Sequence, residues 1–257
     1  MLWIIAHTEL FFPLLLGGLI LVVELGFRLR QVSTNIDAER QSLIESARDE
    51  LIVLLGLLLG FSLPMALPHY EHRNELMVDE ANAIATVEER AQMLPEPFRE
   101  KILLSLREYV DARLDFDRAE PGEHVSLASI EHAHQIDREI LQETAALTKQ
   151  TTNALTPIFV QSLGTMGDLI EQRLAAEEKR IPSVIWMVHI SISVLTSFVV
   201  GYSMRRRLFL AMIVLPLTVA IVLSLVGELD NPRTGFVRED QRSMQRLHLN
   251  MAATPVQ

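Results

Sequence analysis

The stretches PSVIWMVHISISVLTSFVVGY (Pro182–Tyr202) and LFLAMIVLPLTVAIVLSLV (Leu208–Val226) decide the fold. Soluble helices of this length carry a polar face, and these two lack one almost entirely. Each has close to the ~20 residues that a helix rising ~1.5 Å per residue needs to cross a ~30 Å hydrocarbon core. Two further apolar runs, Leu10–Phe27 and Leu51–Leu67, have the same character, although Glu24 interrupts the first and the second is short. The chain reads as an all-α integral membrane protein with four transmembrane helices. They pair as hairpins over residues 1–67 and 182–227, with a helical extramembrane block at 68–181 between spans two and three and a C-terminal tail at 228–257.

Within the block, the pattern predicts a first helix from about Glu71 to Met93, stopped at Leu94-Pro95-Glu96-Pro97, where proline disfavours continuation and suits a new helix start. A second helix carries Phe98, Ile102, Leu103, Leu106, Val110 and Leu114 at three- and four-residue spacing, an amphipathic stripe. It is expected to end at the loop Arg118-Ala119-Glu120-Pro121-Gly122. Ser126 or Ser129 could cap a third helix running to about Lys149. A fourth, with Pro157 in its opening turns and an apolar set from Ile158 to Leu174, leads toward span three. No strand pattern and no internal repeat of useful length is visible.

Composition is an average of two unlike parts: 49% of residues are apolar, while 23 Lys and Arg stand against 33 Asp and Glu for a formal charge of −10. Most of the acidic excess lies between Glu71 and Glu178, and without a basic face nucleic acid is not an expected partner. Zero cysteines exclude disulfides, thiolate metal sites and a cysteine nucleophile. The N-terminus has no Lys or Arg before the first apolar run and no clear cleavage site, so that span is expected to persist as an anchor. Arg28, Arg30, Arg40 and Arg48 in one link, with Arg205, Arg206 and Arg207 in the other, place both links in the cytoplasm by positive-inside reasoning. Arg73, Lys179, Arg180, Arg233, Arg238, Arg242 and Arg246 flank spans on the opposite side, so the firmer expectation is that the termini and the helical block share a side.

Span two carries Gly56 and Gly60 four residues apart, two notches on one face that let a neighbouring backbone approach. Val53, Leu57 and Phe61 recur at the same interval, a row that is either lipid-facing or a constriction that gates by dewetting. The run Leu59-Gly60-Phe61-Ser62-Leu63 with Met65-Ala66-Leu67 resembles the second transmembrane helix of the bestrophins, pentameric anion channels with an apolar neck. Carried over, that resemblance puts Val53, Leu57 and Phe61 on the neck face. Only Phe61 is aromatic here, and His69-Tyr70-Glu71 stands where that family has Arg-Trp-Trp. Glu80-Ala81-Asn82, Leu94-Pro95-Glu96-Pro97, Tyr109-Val110-Asp111 and Leu229-Asp230-Asn231-Pro232-Arg233-Thr234-Gly235-Phe236 together are similar to the bacterial bestrophin-like domain family. Its motif residues here are Glu80, Asn82, Pro95, Asp230, Pro232 and Gly235. The resemblance implies a multi-pass protein of the bacterial inner membrane, assembled as a homo-oligomer and, after the bestrophins, a pentamer.

Bestrophins also hold a calcium clasp after the fourth span, which would fall on Glu228, Asp230, Glu239 and Asp240; a helix stop at Asp-Asn-Pro and a turn at Gly235 explain most of that segment. No metal or other cofactor is therefore expected. Glu24 stands four residues before Arg28, a spacing that suits an ion pair, and His189 lies deep in span three as an interhelical hydrogen-bond donor or a proton relay. His132 and His134 sit two apart, which turns their rings in different directions on a helix. No phosphate loop, His-Glu-x-x-His or nucleophile elbow is present, so an enzyme is not expected. Two functions follow: an oligomeric ion channel, anion-conducting by resemblance, with span two lining the pore, or a non-conducting scaffold or sensor whose Phe98–Leu114 stripe binds a partner.

Overall fold

The computed structural model describes residues 8–33, 37–118, 124–150, 155–207, 209–231 and 240–253. Among them the chain forms eight helices: α1 (Thr8–Val32), α2 (Ala38–Ala91), α3 (Phe98–Arg118), α4 (His124–Gln150), α5 (Leu155–Glu178), α6 (Ser183–Ser203), α7 (Phe209–Asp230) and α8 (Arg242–Ala253). Four helical stretches are long and apolar enough to cross a membrane. The chain divides into two compact units, Met1–Tyr70 with Arg180–Val237, and Glu71–Lys179 with Arg238–Gln257.

Span two and the expected helix at Glu71–Met93 are one element: α2 runs for 54 residues with Pro64 and Pro68 inside it. Each proline removes one backbone bond, and in an apolar span neighbouring helices and hydroxyl side chains tolerate that loss. The third block helix also starts earlier than expected. Because α4 begins at His124, Ser126 and Ser129 lie inside it and neither is its cap.

In the first unit, α1 packs against α6 and α7. Phe11, Leu19, Leu55, Leu59, Trp186 and Leu223 contribute to one buried cluster, and Val23, Phe27, Val200, Met204 and Met212 form another. Phe11 and Trp186 meet edge to face with centroids 5.9 Å apart. The α1–α6 crossing is close because it is made at glycine: a Cβ on Gly201 would overlap the Val23 carbonyl, and one on Gly26 would overlap the Phe198 carbonyl. The buried stripe of α6 is otherwise rich in small hydroxyls, and Ser193 and Thr196 donate to the carbonyls of His189 (2.6 Å) and Ile192 (2.7 Å).

The second unit is a helical core in which α3 packs against α4 and α8. Its Phe98, Ile102, Leu103, Leu106, Val110 and Leu114 are all buried, joined by Ile84 and Val87 of α2, Ile136 and Ile140 of α4, and Phe159 and Met166 of α5. The amphipathic stripe is thus consumed inside one chain. Pro95 opens α3, its carbonyl accepting from the N–H groups of Phe98 (3.1 Å) and Arg99 (3.2 Å). The segment after span four is more than a tail: α8 presents Met244, Leu247 and Met251, spaced by three and four, to this core. Asp240 sets its start by accepting from Arg242 N at 3.1 Å.

Candidate functional site

The membrane part of α2 has two unlike faces. Leu55, Leu59, Ser62 and Ala66, spaced by three and four residues, are buried against the first unit. Val53, Leu57 and Phe61 point elsewhere and are 72%, 56% and 61% exposed. Beside them, Gly56 and Gly60 face open space, with no atom within 4 Å of where a Cβ would stand. Only 22% of this span is buried in the chain, against 44% for the fourth span. A row of large apolar side chains and two backbone notches therefore lie uncovered on one helix.

The opposite face is held by a polar node. His189, 6% exposed, sits on α6 with Nδ1 2.8 Å from the Ile185 carbonyl and Nε2 2.7 Å from Ser62 Oγ and 3.2 Å from the Leu58 carbonyl. Ser62 also donates to Leu58 O at 2.9 Å. Elsewhere in the first unit Glu24 receives Arg28 at 2.7 Å, the i,i+4 pair the spacing suits, and in addition Arg207 from the 205–207 turn. Arg207 lies over the Phe27 ring, 5.3 Å from its centroid. Glu24, inside the first candidate span, is thereby paired twice.

Glu80 is the most deeply committed motif residue. Fully buried on α2, it is ion-paired with Arg113, whose Nε lies 3.0 Å away and whose terminal nitrogen donates at 3.2 Å, and it accepts from Arg173 at 2.6 Å and from the Tyr109 hydroxyl at 3.3 Å. Burial alone would raise its carboxyl, but the charges and hydrogen bonds of Arg113 and Arg173 outweigh this and hold it below the usual range. Burial, then the neighbouring Glu80 charge, pushes the Tyr109 hydroxyl well above its ordinary value. The sequence offered Glu80 and Tyr109 only as motif members. Their partners lie 33 and 93 residues from Glu80, a separation with no local signal.

A cavity of about 200 Å³ opens beside this network, lined by Tyr109, Arg113, His134, Asp137, Asp168 and Glu171 among others. Burial raises the Asp137 carboxyl, opposed by His134 and Arg138 and aided by Glu171. His132 instead pairs with Glu108 at 3.1 Å, so the two histidines serve different neighbours.

The remaining motif residues act in local structure. Asn82 is exposed, and its carbonyl accepts from Thr86 Oγ1 at 2.9 Å. Asp230 ends α7 and accepts from Ile181 N at 2.9 Å, while Arg180 bonds its carbonyl, joining the exit of span four to the entry of span three. Glu228, two residues earlier, is buried. Asp240 is bonded to Arg242 (3.2 Å), and its N–H donates to Asn74 at 3.0 Å. Pro232, Gly235 and Glu239 lie outside the described residues. Among the described residues no group of three or more His, Asp or Glu is placed to hold a metal.

The family described as Bestrophin-like domain matches residues 11–240. No match is found among curated proteins. Among solved structures, two point-substituted forms of a bacterial bestrophin homologue from Klebsiella pneumoniae are similar. One has 13% identity, a TM-score of 0.67, and covers 95% of this chain and 97% of the other. The second has 15% identity and a TM-score of 0.66, and covers 95% and 99%. A structure described as a membrane protein is similar at 14% identity with a TM-score of 0.66, covering 96% and 99%. At these identities the likeness is one of fold, and with the family match over most of its length, this membrane-spanning chain belongs to the Bestrophin-like domain family.

Proposed function

We propose that this protein is an ion channel assembled from several copies of the chain, with the uncovered face of α2 turned toward a shared axis. The observation that carries the reading is the row Val53, Leu57 and Phe61, exposed on a helix whose other face is packed. Rings of apolar side chains make a constriction that excludes water and ions until it widens. Gly56 and Gly60 beside the row give a neighbouring helix room to approach. Family membership suggests a channel kind of function and argues against an enzyme, and the bestrophin resemblance supports anions and a pentamer. The bacterial inner membrane is the proposed location, with the termini and the helical unit on one side.

The scaffold reading rested on the stripe from Phe98 to Leu114. That stripe is buried within the chain and offers no docking face. Planar-bilayer recording of the purified protein tests the channel. Conductance should appear and increase in Leu57→Ala and Phe61→Ala, and the reversal potential in asymmetric chloride should follow the chloride gradient. Silence from the protein and both variants would remove the reading, and a reversal potential following the cation gradient would remove its anion part.

A further inference from the structure

Where α1 ends and α6 turns into α7, one carboxylate gathers two arginines. Glu24 accepts from Arg28 Nε at 2.7 Å, and the same carboxylate oxygen bonds a terminal nitrogen of Arg207. Both arginine side chains remain more than half exposed. Arg207 is steadied further by the Phe27 ring, 5.3 Å from its centroid. Arg28 bonds through Nε, so its two terminal nitrogens remain as donors, and a guanidinium stays cationic at any ordinary pH. Arg205 and Arg206 complete the turn, both exposed, and among the described residues neither pairs with a carboxylate. Acids of the neighbouring link are engaged elsewhere: Asp37 accepts from Arg40 N at 2.9 Å, Glu45 from Gln41 at 2.6 Å, and Asp49 pairs with Arg48 at 2.7 Å. Four arginines therefore meet one carboxylate here, an excess of positive charge with two of its members held in place. The flanks of the cluster are apolar, since Leu25 and Leu29 of α1 and Phe209 and Leu210 of α7 are all exposed.

We propose that Arg28, Arg205, Arg206 and Arg207 bind the phosphate of an anionic phospholipid whose acyl chains lie along Leu25, Leu29, Phe209 and Leu210. A phosphodiester offers oxygens that match the planar fork of a guanidinium, and arginine beside a span attracts anionic headgroups. The occupant is a lipid rather than the free ion because the donors adjoin an exposed apolar surface at the ends of two membrane-crossing helices, and only an amphiphile covers both. Binding orders little that is not ordered already. Glu24 and Phe27 fix two of the four side chains, so less rotamer freedom is lost when a headgroup arrives. The site belongs to α1, α6 and α7 and does not depend on which way α2 faces.

The full chain contains no cysteine, so Phe209→Cys gives a single position for a fluorophore beside the arginines. Leu10→Cys gives another at the opposite end of α1, about 27 Å from Arg28 at a rise of ~1.5 Å per residue. Bromine on an acyl chain quenches a fluorophore it touches. In phosphatidylcholine vesicles holding a minor fraction of phosphatidylglycerol, with each lipid brominated in turn, quenching at position 209 should report association of phosphatidylglycerol about five- to tenfold stronger than of phosphatidylcholine. At position 10 no preference should appear. Arg205→Gln with Arg206→Gln should bring the preference at position 209 to about twofold or less, while unchanged quenching by brominated phosphatidylcholine shows the span still in place. Arg48→Gln, whose charge is paired with Asp49, should leave the preference as it was. Inorganic phosphate added at constant ionic strength should not displace the lipid. Equal quenching by the two lipids at position 209, the same preference at position 10, its survival in the double variant, or an equal loss in Arg48→Gln overturns the proposal. Displacement by inorganic phosphate overturns the assignment to lipid in favour of the free ion.

Discussion

Glu80→Gln should cost this protein much of its stability, because it keeps the side-chain shape while removing an anion that two buried guanidiniums share, Glu177 standing farther off at 3.8 Å from Arg173. The Arg113 and Arg173 side chains are 3% and 1% exposed, so water cannot replace the lost charge. Removing one partner of a buried ion pair costs about 3–5 kcal/mol. At roughly 2–4 °C per kcal/mol for a chain of this size, Tm should fall by about 6–20 °C. Circular dichroism of the detergent-purified protein reads this directly. The dependence on pH gives a second readout. The folded-state carboxyl of Glu80 lies below its ordinary range, so its contribution is present in full above the unfolded value of about 4.3 and is lost as pH falls through the folded value. The gap between starting protein and variant should therefore be constant above about pH 5 and shrink below about pH 4. Replacing all three groups together, Glu80→Leu with Arg113→Met and Arg173→Leu, should recover most of the loss, since apolar side chains can substitute for a whole buried triad. A Tm for Glu80→Gln within about 2 °C of the starting protein at pH 7 would refute the reasoning.

Gly201→Ala should lower Tm by an amount equivalent to about 1–3 kcal/mol, because its methyl group would meet the Val23 backbone at a crossing that cannot widen without separating α1 from α6. Gly60→Ala, which meets no atom of its own chain, should spare the melting of the subunit and weaken assembly, seen as an earlier loss of the oligomer on dilution in size-exclusion chromatography. Asp137→Asn should raise stability at neutral pH and not below about pH 3.9. A folded-state carboxyl raised mainly by burial costs stability as pH climbs from the unfolded value through the folded one, and the amide escapes that cost. Melts at pH 3.5 and pH 7 compare the two.

The spans and the α3 stripe were legible because lipid and core both write themselves as hydrophobic period, and α6 and α7 end within four residues of the expected positions. The continuity of α2 was not. Pro64 and Pro68 argue locally for a stop, and tertiary packing overrides them over Leu55, Leu59 and Ala66. Glu24 and Arg28 were readable as a pair because they are four residues apart; Arg207, 183 residues away, was not. The same limit hid Arg113 and Arg173 from Glu80. The Met244, Leu247 and Met251 spacing of α8 was in plain sight, but in so short a segment, with Leu249 off the stripe and exposed, it gives a weak periodic signal.

The two polar nodes on α2 divide the helix by what each can tolerate. Around Glu80 charge is balanced by charge, so the helix is held through any ordinary pH, and only strong acid or substitution loosens it. Around His189 the tie is made of hydrogen bonds to the Ser62 hydroxyl and to backbone carbonyls. Successive residues on a helix are about 100° apart, so any rotation of the helix at Ser62 swings Phe61 through the same angle. The row Val53, Leu57 and Phe61 is therefore oriented by a hydrogen-bonded tie, which costs less to break than the buried ion pairs at Glu80.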